Sequence, residues 1–351
     1  MSETSDTGAT PRRRRYRILL GTSLLVPVAL ASVWVARRPI AEGFIDRELA
    51  KAGVPARYGI GDFGLAGQRL TNVVLGDPAN PDLVADWVET RTGIGLSGPY
   101  LVGVRAGHVR LRGRLVDGRV SLGAIDRLLP APSGKPFALP ALDVDVADAR
   151  MRLQTPQGLI GLKLSGSGVL NDGFRGSLAA VSDRLETAGC AASRLTAAVR
   201  LRIDDDKPSI AGPVRAARIG CGPTQVADVA ATVDLGLSAA LDRWRGTARL
   251  ASGAVHTSGV ALRGVRGTIG FDGTAAATGG TLDLTAAGVR AAAGRAAQLQ
   301  LAGAYRLDAE TRFDGDVRAS GAGVAPALVA RVTALSTSAA GTPVAPLAGA
   351  A

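Results

Sequence analysis

Between residues 69 and 319 the chain is written almost wholly in short runs that alternate apolar with small or polar residues. A repeat of two belongs to a strand with one face turned inward, whereas a helix needs apolar residues every three or four. The runs fall at 69–75, 83–90, 108–115, 142–146, 149–154, 160–164, 195–203, 246–250, 267–270, 281–284, 299–307 and 312–319. Turn-forming residues punctuate them: Asp77-Pro78, Asp117-Gly118, Asn171-Asp172-Gly173, Asp272-Gly273 and Asp314-Gly315. Strands do not alternate with helices, which excludes a doubly wound α/β fold. No strict period marks a solenoid. The expectation is a mainly β chain, a long meander of consecutive antiparallel strands. At about 4.8 Å per strand, roughly twenty strands extend on the order of 90–100 Å.

The main interruption is residues 120–129, where Leu122, Ile125, Leu128 and Leu129 fit a turn and a half of helix. Residues 130–140 then read as a proline-rich crossover between two parts of the sheet. A sheet this long with one apolar face must cover that face. Few helices are left to do so, and the chain holds only six Phe, four Tyr and three Trp. Two solutions stand open: a trough whose apolar face lines a groove that lipid tails can occupy, or a sandwich or irregular barrel with an ordinary Leu/Val core.

The N-terminus relates all of this to a membrane. Arg12, Arg13, Arg14, Arg15 and Arg17 precede an uncharged run at 18–36, which Arg37 and Arg38 close. A helix of that run spans about 28 Å, close to the hydrocarbon core of a bilayer. The heavier N-terminal charge places residues 1–17 in the cytoplasm and the remainder outside, in a bacterial periplasm. A cleaved signal peptide ending near Ala29-Leu30-Ala31 is the rival reading; the apolar continuation through Val33, Trp34 and Val35 favours an uncleaved anchor. Helical spacing of Ile40, Phe44, Ile45 and Leu49 carries the helix outward until Gly53 and Pro55.

Seven arginines of the formal +11 belong to these flanks, so the body is only mildly basic, and its arginines lack interleaved aromatics. Nucleic-acid binding is not expected. Cys190 and Cys221 each follow a glycine and precede a strand-like run. In an oxidising compartment they can pair, if neighbouring units bring them together; otherwise they are two buried thiols. His108 and His256 lie singly in strand-like runs, with no second ligand at metal spacing. Asp204-Asp205-Asp206 before Lys207-Pro208 reads as a solvated hairpin turn, and Asp143, Asp145 and Asp148 as a polar sheet face. Ser165-Gly166-Ser167-Gly168 lacks the strand–turn–helix setting of a nucleophile elbow. The glycines at 259–273 do not open a helix and so cannot cradle a phosphate there. No nucleophile–base pair emerges, so neither an enzyme nor a cofactor is expected.

Two stretches are distinctive. One is Thr71-Asn72-Val73-Val74-Leu75-Gly76-Asp77-Pro78 followed by Pro81-Asp82-Leu83-Val84-Ala85-Asp86-Trp87-Val88-Glu89. The other is Val109-Arg110-Leu111-Arg112-Gly113-Arg114-Leu115-Val116-Asp117-Gly118-Arg119-Val120-Ser121-Leu122-Gly123. With the leader ending in Arg37-Arg38-Pro39-Ile40-Ala41, they resemble the N-terminal region of the YdbH family, part of the AsmA-like group with TamB and YhdP. The resemblance is strongest over residues 12–165 and identifies no catalytic site. It implies an inner-membrane anchor, a long sheet curled around a hydrophobic groove (a β-taco) and passage of phospholipids towards the outer membrane. An outer-membrane lipoprotein or barrel is the implied partner, and scaffolding through a sheet edge the alternative role. The expected organisation is a basic cytoplasmic tail at 1–17, a transmembrane helix at 18–36 and a periplasmic β region with short helices at 37–130. An elongated β-groove region at 131–325 and a low-complexity or truncated end at 326–351 follow. Family members are longer, so a fragment, a truncated product or a unit needing a partner is expected.

Overall fold

The computed structural model describes residues 46–47, 49–64, 67–95, 98–116, 119–128, 138–187, 189–274, 276–292, 294–308 and 311–321. The leader at 18–36 with its arginine flanks, most of the proline-rich segment and the end at 326–351 lie outside them. The chain divides into Met1–Ala52, helical at 46–47 and 49–51, and Gly53–Ala351, which contains all the described strands.

Among the described residues nineteen strands form one sheet. The first group is β1 (Ala56–Gly64), β2 (Gly67–Leu75), β3 (Leu83–Gly95), β4 (Gly98–Gly107), β5 (Val109–Val116) and β6 (Arg119–Ser121). A 3-10 helix at Gly123–Leu128 follows, shorter and tighter than the helix expected there. Then come β7 (Asp143–Thr155), β8 (Gly158–Val169), β9 (Phe174–Thr187), β10 (Cys190–Asp204), β11 (Lys207–Cys221), β12 (Thr224–Leu237), β13 (Arg243–Thr257) and β14 (Val260–Thr274). The last are β15 (Thr278–Ala286), β16 (Val289–Ala291), β17 (Gly294–Ala296), β18 (Gln298–Leu307) and β19 (Thr311–Ser320). Among the described residues β1 pairs only with β2 and β19 only with β18, so the sheet is not closed into a barrel. All the described strands belong to this sheet, so no second sheet makes a sandwich.

The meander is not wholly antiparallel. β7 runs parallel to β4 at Gly103↔Asp143 and to β5 at Leu111↔Met151, so β4 and β5 act as one broken strand on its flank. A parallel neighbour requires a crossover, and the chain between Ser121 and Asp143 supplies it. A second correction concerns Asp272-Gly273 and Asp314-Gly315, which sit inside β14 and β19 instead of at turns. Gly315 serves close packing: a Cβ there would lie 2.3 Å from the Ala302 carbonyl oxygen and 2.8 Å from the Phe313 ring. The acidic turn at Asp205-Asp206 has positive φ at both residues, 50° and 61°, the backbone of a tight two-residue hairpin.

Two creases cross the sheet. In β9 to β14, Asp183, Arg194, Ala217, Asp228, Gly253 and Gly264 stand opposite one another in turn, and none pairs with its opposite number. Every second strand has a left-handed residue there: φ is 49° at Arg194, 52° at Asp228 and 58° at Gly264. The other crease passes Asn72 (φ 50°), Asp86, His108 (φ 53°) and the irregularity between Val146 and Ala149. At each crease the alternation changes phase. In β13 the less exposed residues are Trp244, Gly246, Ala248, Leu250 and Ser252 before it, and Ala254, Val255 and Thr257 after it. The phase change keeps apolar side chains together across the break. Val260 and Leu262 cluster with Val265, and Leu70 with Val73, Ala85 with Val88 and Ala106 with Val109 in another cluster.

Candidate functional site

The sheet's register aligns a row of mostly apolar residues across the strands, passing over β4 and meeting only backbone at Gly267. The row begins Ala56↔Leu75, Leu75↔Leu83, Leu83↔Leu111, Leu111↔Met151 and Met151↔Leu162. It continues Leu162↔Ala180, Ala180↔Ala197, Ala197↔Val214, Val214↔Ala231 and Ala231↔Leu250. It ends Leu250↔Gly267, Gly267↔Leu284, Leu284↔Leu301 and Leu301↔Val317. Strand spacing makes this track about 65 Å in contour. Every member is half-buried, neither sealed in a core nor fully open to solvent. A neighbouring row is equally apolar, with Ala149↔Leu164, Leu164↔Leu178, Val233↔Ala248 and Ile269↔Leu282 among its pairs. Aromatic rings join this face near its far end: Tyr305 is opposite Phe313, and Tyr305 Oη donates a 3.1 Å hydrogen bond to the Gly270 carbonyl. Burial raises the Tyr305 pKa above 10.0.

Such a surface does no covalent chemistry. It offers contiguous apolar area whose withdrawal from water is favourable at about 25 cal/mol per Å². With no bond directed at any one residue, the site is distributed, and sequence reasoning named no member of it. The signal lay in the register, which strands taken one by one do not contain.

The opposite face is ionic. Asp143 pairs with Arg91, Asp145 Oδ2 lies 3.8 Å from Arg105 Nε, and Arg245 Nε donates to Asp272 at 2.7 Å. Asp148 meets three cations: Arg150 Nε at 3.2 Å, Arg110 Nη1 at 3.4 Å and Lys163 Nζ at 3.5 Å. Partial burial raises its pKa, but Arg150, Lys163 and Arg110 together outweigh that and hold it below 3.8. Thus Asp143, Asp145 and Asp148 do share a face, each with cationic partners, and the uneven spacing from Asp145 to Asp148 marks the crease between them. His108 and His256 are both exposed. Ser165 Oγ donates to the Ala147 carbonyl at 2.7 Å, and the glycines of 259–273 mostly lie within β14. Cys190 and Cys221 are cross-strand partners in β10 and β11, joined in a disulfide with Cα atoms 4.1 Å apart.

Among the described residues no three His, Cys, Asp or Glu side chains are arranged to hold a metal ion. No helix among them is long and apolar enough to cross a membrane, and residues 18–36 are not part of that set. Comparison with curated proteins and with solved structures gives no match. A family model described as YdbH-like, intermembrane phospholipid transport protein YdbH, matches residues 24–350. That match spans nearly the whole chain, and the protein belongs to the YdbH-like family, a family of intermembrane phospholipid transport proteins.

Proposed function

We propose that this chain carries phospholipids between the inner and outer membranes, with acyl chains lying along the apolar row and headgroups in water. The observation that carries the reading is the half-exposed track from Ala56 to Val317, on a sheet with no second layer of strands among the described residues. Each methylene kept from water contributes about 0.8 kcal/mol, so a two-tailed lipid is held firmly without a headgroup pocket. A uniform track has similar energy at each position, which favours sliding over capture. In this reading the sheet curls into a groove around the track, the creases supplying bends along its length. Residues 18–36 anchor it in the inner membrane, with residues 1–17 cytoplasmic, Arg37 and Arg38 at the outer interface and the bulk periplasmic. Residues 37–130 form the membrane-proximal β region and 131–325 the elongated groove, the division falling in the crossover before β7.

The test is lipid extraction and mass spectrometry on the full chain purified from envelope membranes and exchanged into a synthetic detergent. Near-stoichiometric retained phospholipid supports the reading; a folded, lipid-free protein counts against it. The edges of β1 and β19, unpaired among the described residues, favour a second role, pairing with an outer-membrane lipoprotein or barrel. Photocrosslinkers at Leu250 and at Arg318 separate the two: lipid adducts at the first support transfer, protein adducts at the second support scaffolding.

A further inference from the structure

On the ionic face, two rows of cations lie side by side, one across β5, β7 and β8 and one across β5 and β7. In the first, Arg110 is opposite Arg150 and Arg150 opposite Lys163, and all three converge on Asp148. In the second, Arg112 is opposite Arg152, and among the described residues neither has an ion-pair partner. Like charges directly opposite on a sheet repel, so this pair is destabilising unless a counter-ion neutralises it. The first row carries its own carboxylate; the second does not.

A cavity of about 650 Å³ opens beside the second row. Arg112, Arg114 and Arg152 line it with Gln154, Asn80 and one carboxylate, Asp82. Asp82 Oδ2 is already engaged, accepting a 2.8 Å hydrogen bond from the Ala124 amide at the start of the 3-10 helix. Arg114 too lacks an ion pair among the described residues, and lies opposite the neutral Gln154. Three guanidinium groups therefore share one carboxylate, which leaves the cavity with a cationic excess. On the other side, Arg112 and Arg152 also border a cavity of about 600 Å³ whose lining includes Val84, Ala179 and Val181.

We propose that Arg112 and Arg152 bind a phosphate-class anion, which supplies the missing counter-charge. Guanidinium forks match phosphate oxygens two at a time, and Arg114 and Gln154 extend the donor set. The anion is either a soluble phosphate ester or a lipid headgroup, the apolar side of the second cavity suiting the glyceride portion of the latter. The site is on the face opposite the apolar track and does not depend on it.

The experiment is calorimetric titration of the full chain, in non-ionic detergent, with glycerol 3-phosphate and separately with phosphatidylglycerol in mixed micelles. Arg112→Gln/Arg152→Gln is the test variant, and Arg249→Gln on the same face is the control. Saturable binding that weakens about 10-fold or more in the test variant and not in the control supports the site. Glycerol 3-phosphate binding identifies a soluble ester as the ligand; binding of phosphatidylglycerol alone identifies a headgroup. If the double variant loses its sheet circular dichroism, Arg112→Lys/Arg152→Lys, which keeps the charge and loses the fork, takes its place and is expected to bind more weakly than wild type. Binding of neither probe, or undiminished binding by the folded variant, overturns the proposal. Loss of the anion site leaves lipid retention on the apolar face untouched, so the two readings fail separately.

Discussion

His108 Nδ1 stands 3.0 Å from an Asp86 carboxylate oxygen, joining β3 to the β4–β5 junction where the crease leaves their backbones unpaired. Both side chains are about 60% exposed, at 60% and 64%, so the contact is open to solvent and contributes little. Backbone conformation matters more. His108 has φ of 53°, a conformation costing about 1–2 kcal/mol for most residues, least for Gly, Asn and Asp. His108→Asn should therefore keep wild-type stability, while His108→Val should lose about 1–2 kcal/mol or more in urea unfolding. Equal losses would show that the side-chain pair, and not the backbone, holds this crease.

The crease across β9 to β14 should behave alike at Arg194, whose φ is 49°. Arg194→Gly is expected to be neutral or stabilising by up to about 1 kcal/mol, and Arg194→Val destabilising. Urea unfolding midpoints check the order, and a more stable Val variant contradicts it.

Cys190 and Cys221 close a loop with a sequence separation of 31. In the protein purified without reductant, neither thiol should alkylate until reductant is added, as read by intact mass. Cys190→Ser/Cys221→Ser should lower stability by about 2–4 kcal/mol. Free thiols in the native protein would leave these cysteines without a structural role.

Asp148 predicts an acid limb. Its folded pKa lies below 3.8, so its stabilising contribution is complete above that value and is lost as pH falls through the lowered one. Thermal midpoints should show wild type ahead of Asp148→Asn at neutral pH, with the gap closing as the solution is acidified below 3.8. A pH-independent gap would place the effect of the substitution elsewhere.

Leu250 is on the apolar track, and Thr247, on the same strand, points to the ionic face. Leu250→Arg should reduce co-purified phospholipid several-fold, and Thr247→Arg should leave it unchanged. Lipid mass spectrometry alongside an unfolding curve checks both. Similar losses in the two variants would mean that charge alone, on either face, displaces the lipid.

The alternating runs correctly placed β2, β3, β5, β7 and most later strands because each exposes one face and half-buries the other. β11 escaped because Pro208, Gly212 and Pro213 read as punctuation; Pro213 is accommodated because its position lacks a ladder pairing with β10. β9 escaped because Ala179, Ala180 and Val181 blur the alternation, with Val181 55% exposed on the ionic face. The creases escaped for a subtler reason. A phase change such as Val144, Val146 then Ala149, Met151 looks like an imperfect strand until a neighbour shows the same step at the opposing position. The pairing of the two cysteines was readable only as a possibility, since it depends on the β10–β11 register. The apolar track depends on every register at once.

The parallel junction at β7 has a consequence for how the molecule is made. Almost every other neighbouring pair closes through a short turn, so its strands meet soon after both exist. β7 must find β4 and β5 across the intervening crossover, and loop closure and non-local contact slow that step. β8 to β15 follow β7 through short connections and pair onward from it whether or not it is seated. Assembly thus has one late-arriving keystone, and a chain stalled before it presents two half-built templates in place of one.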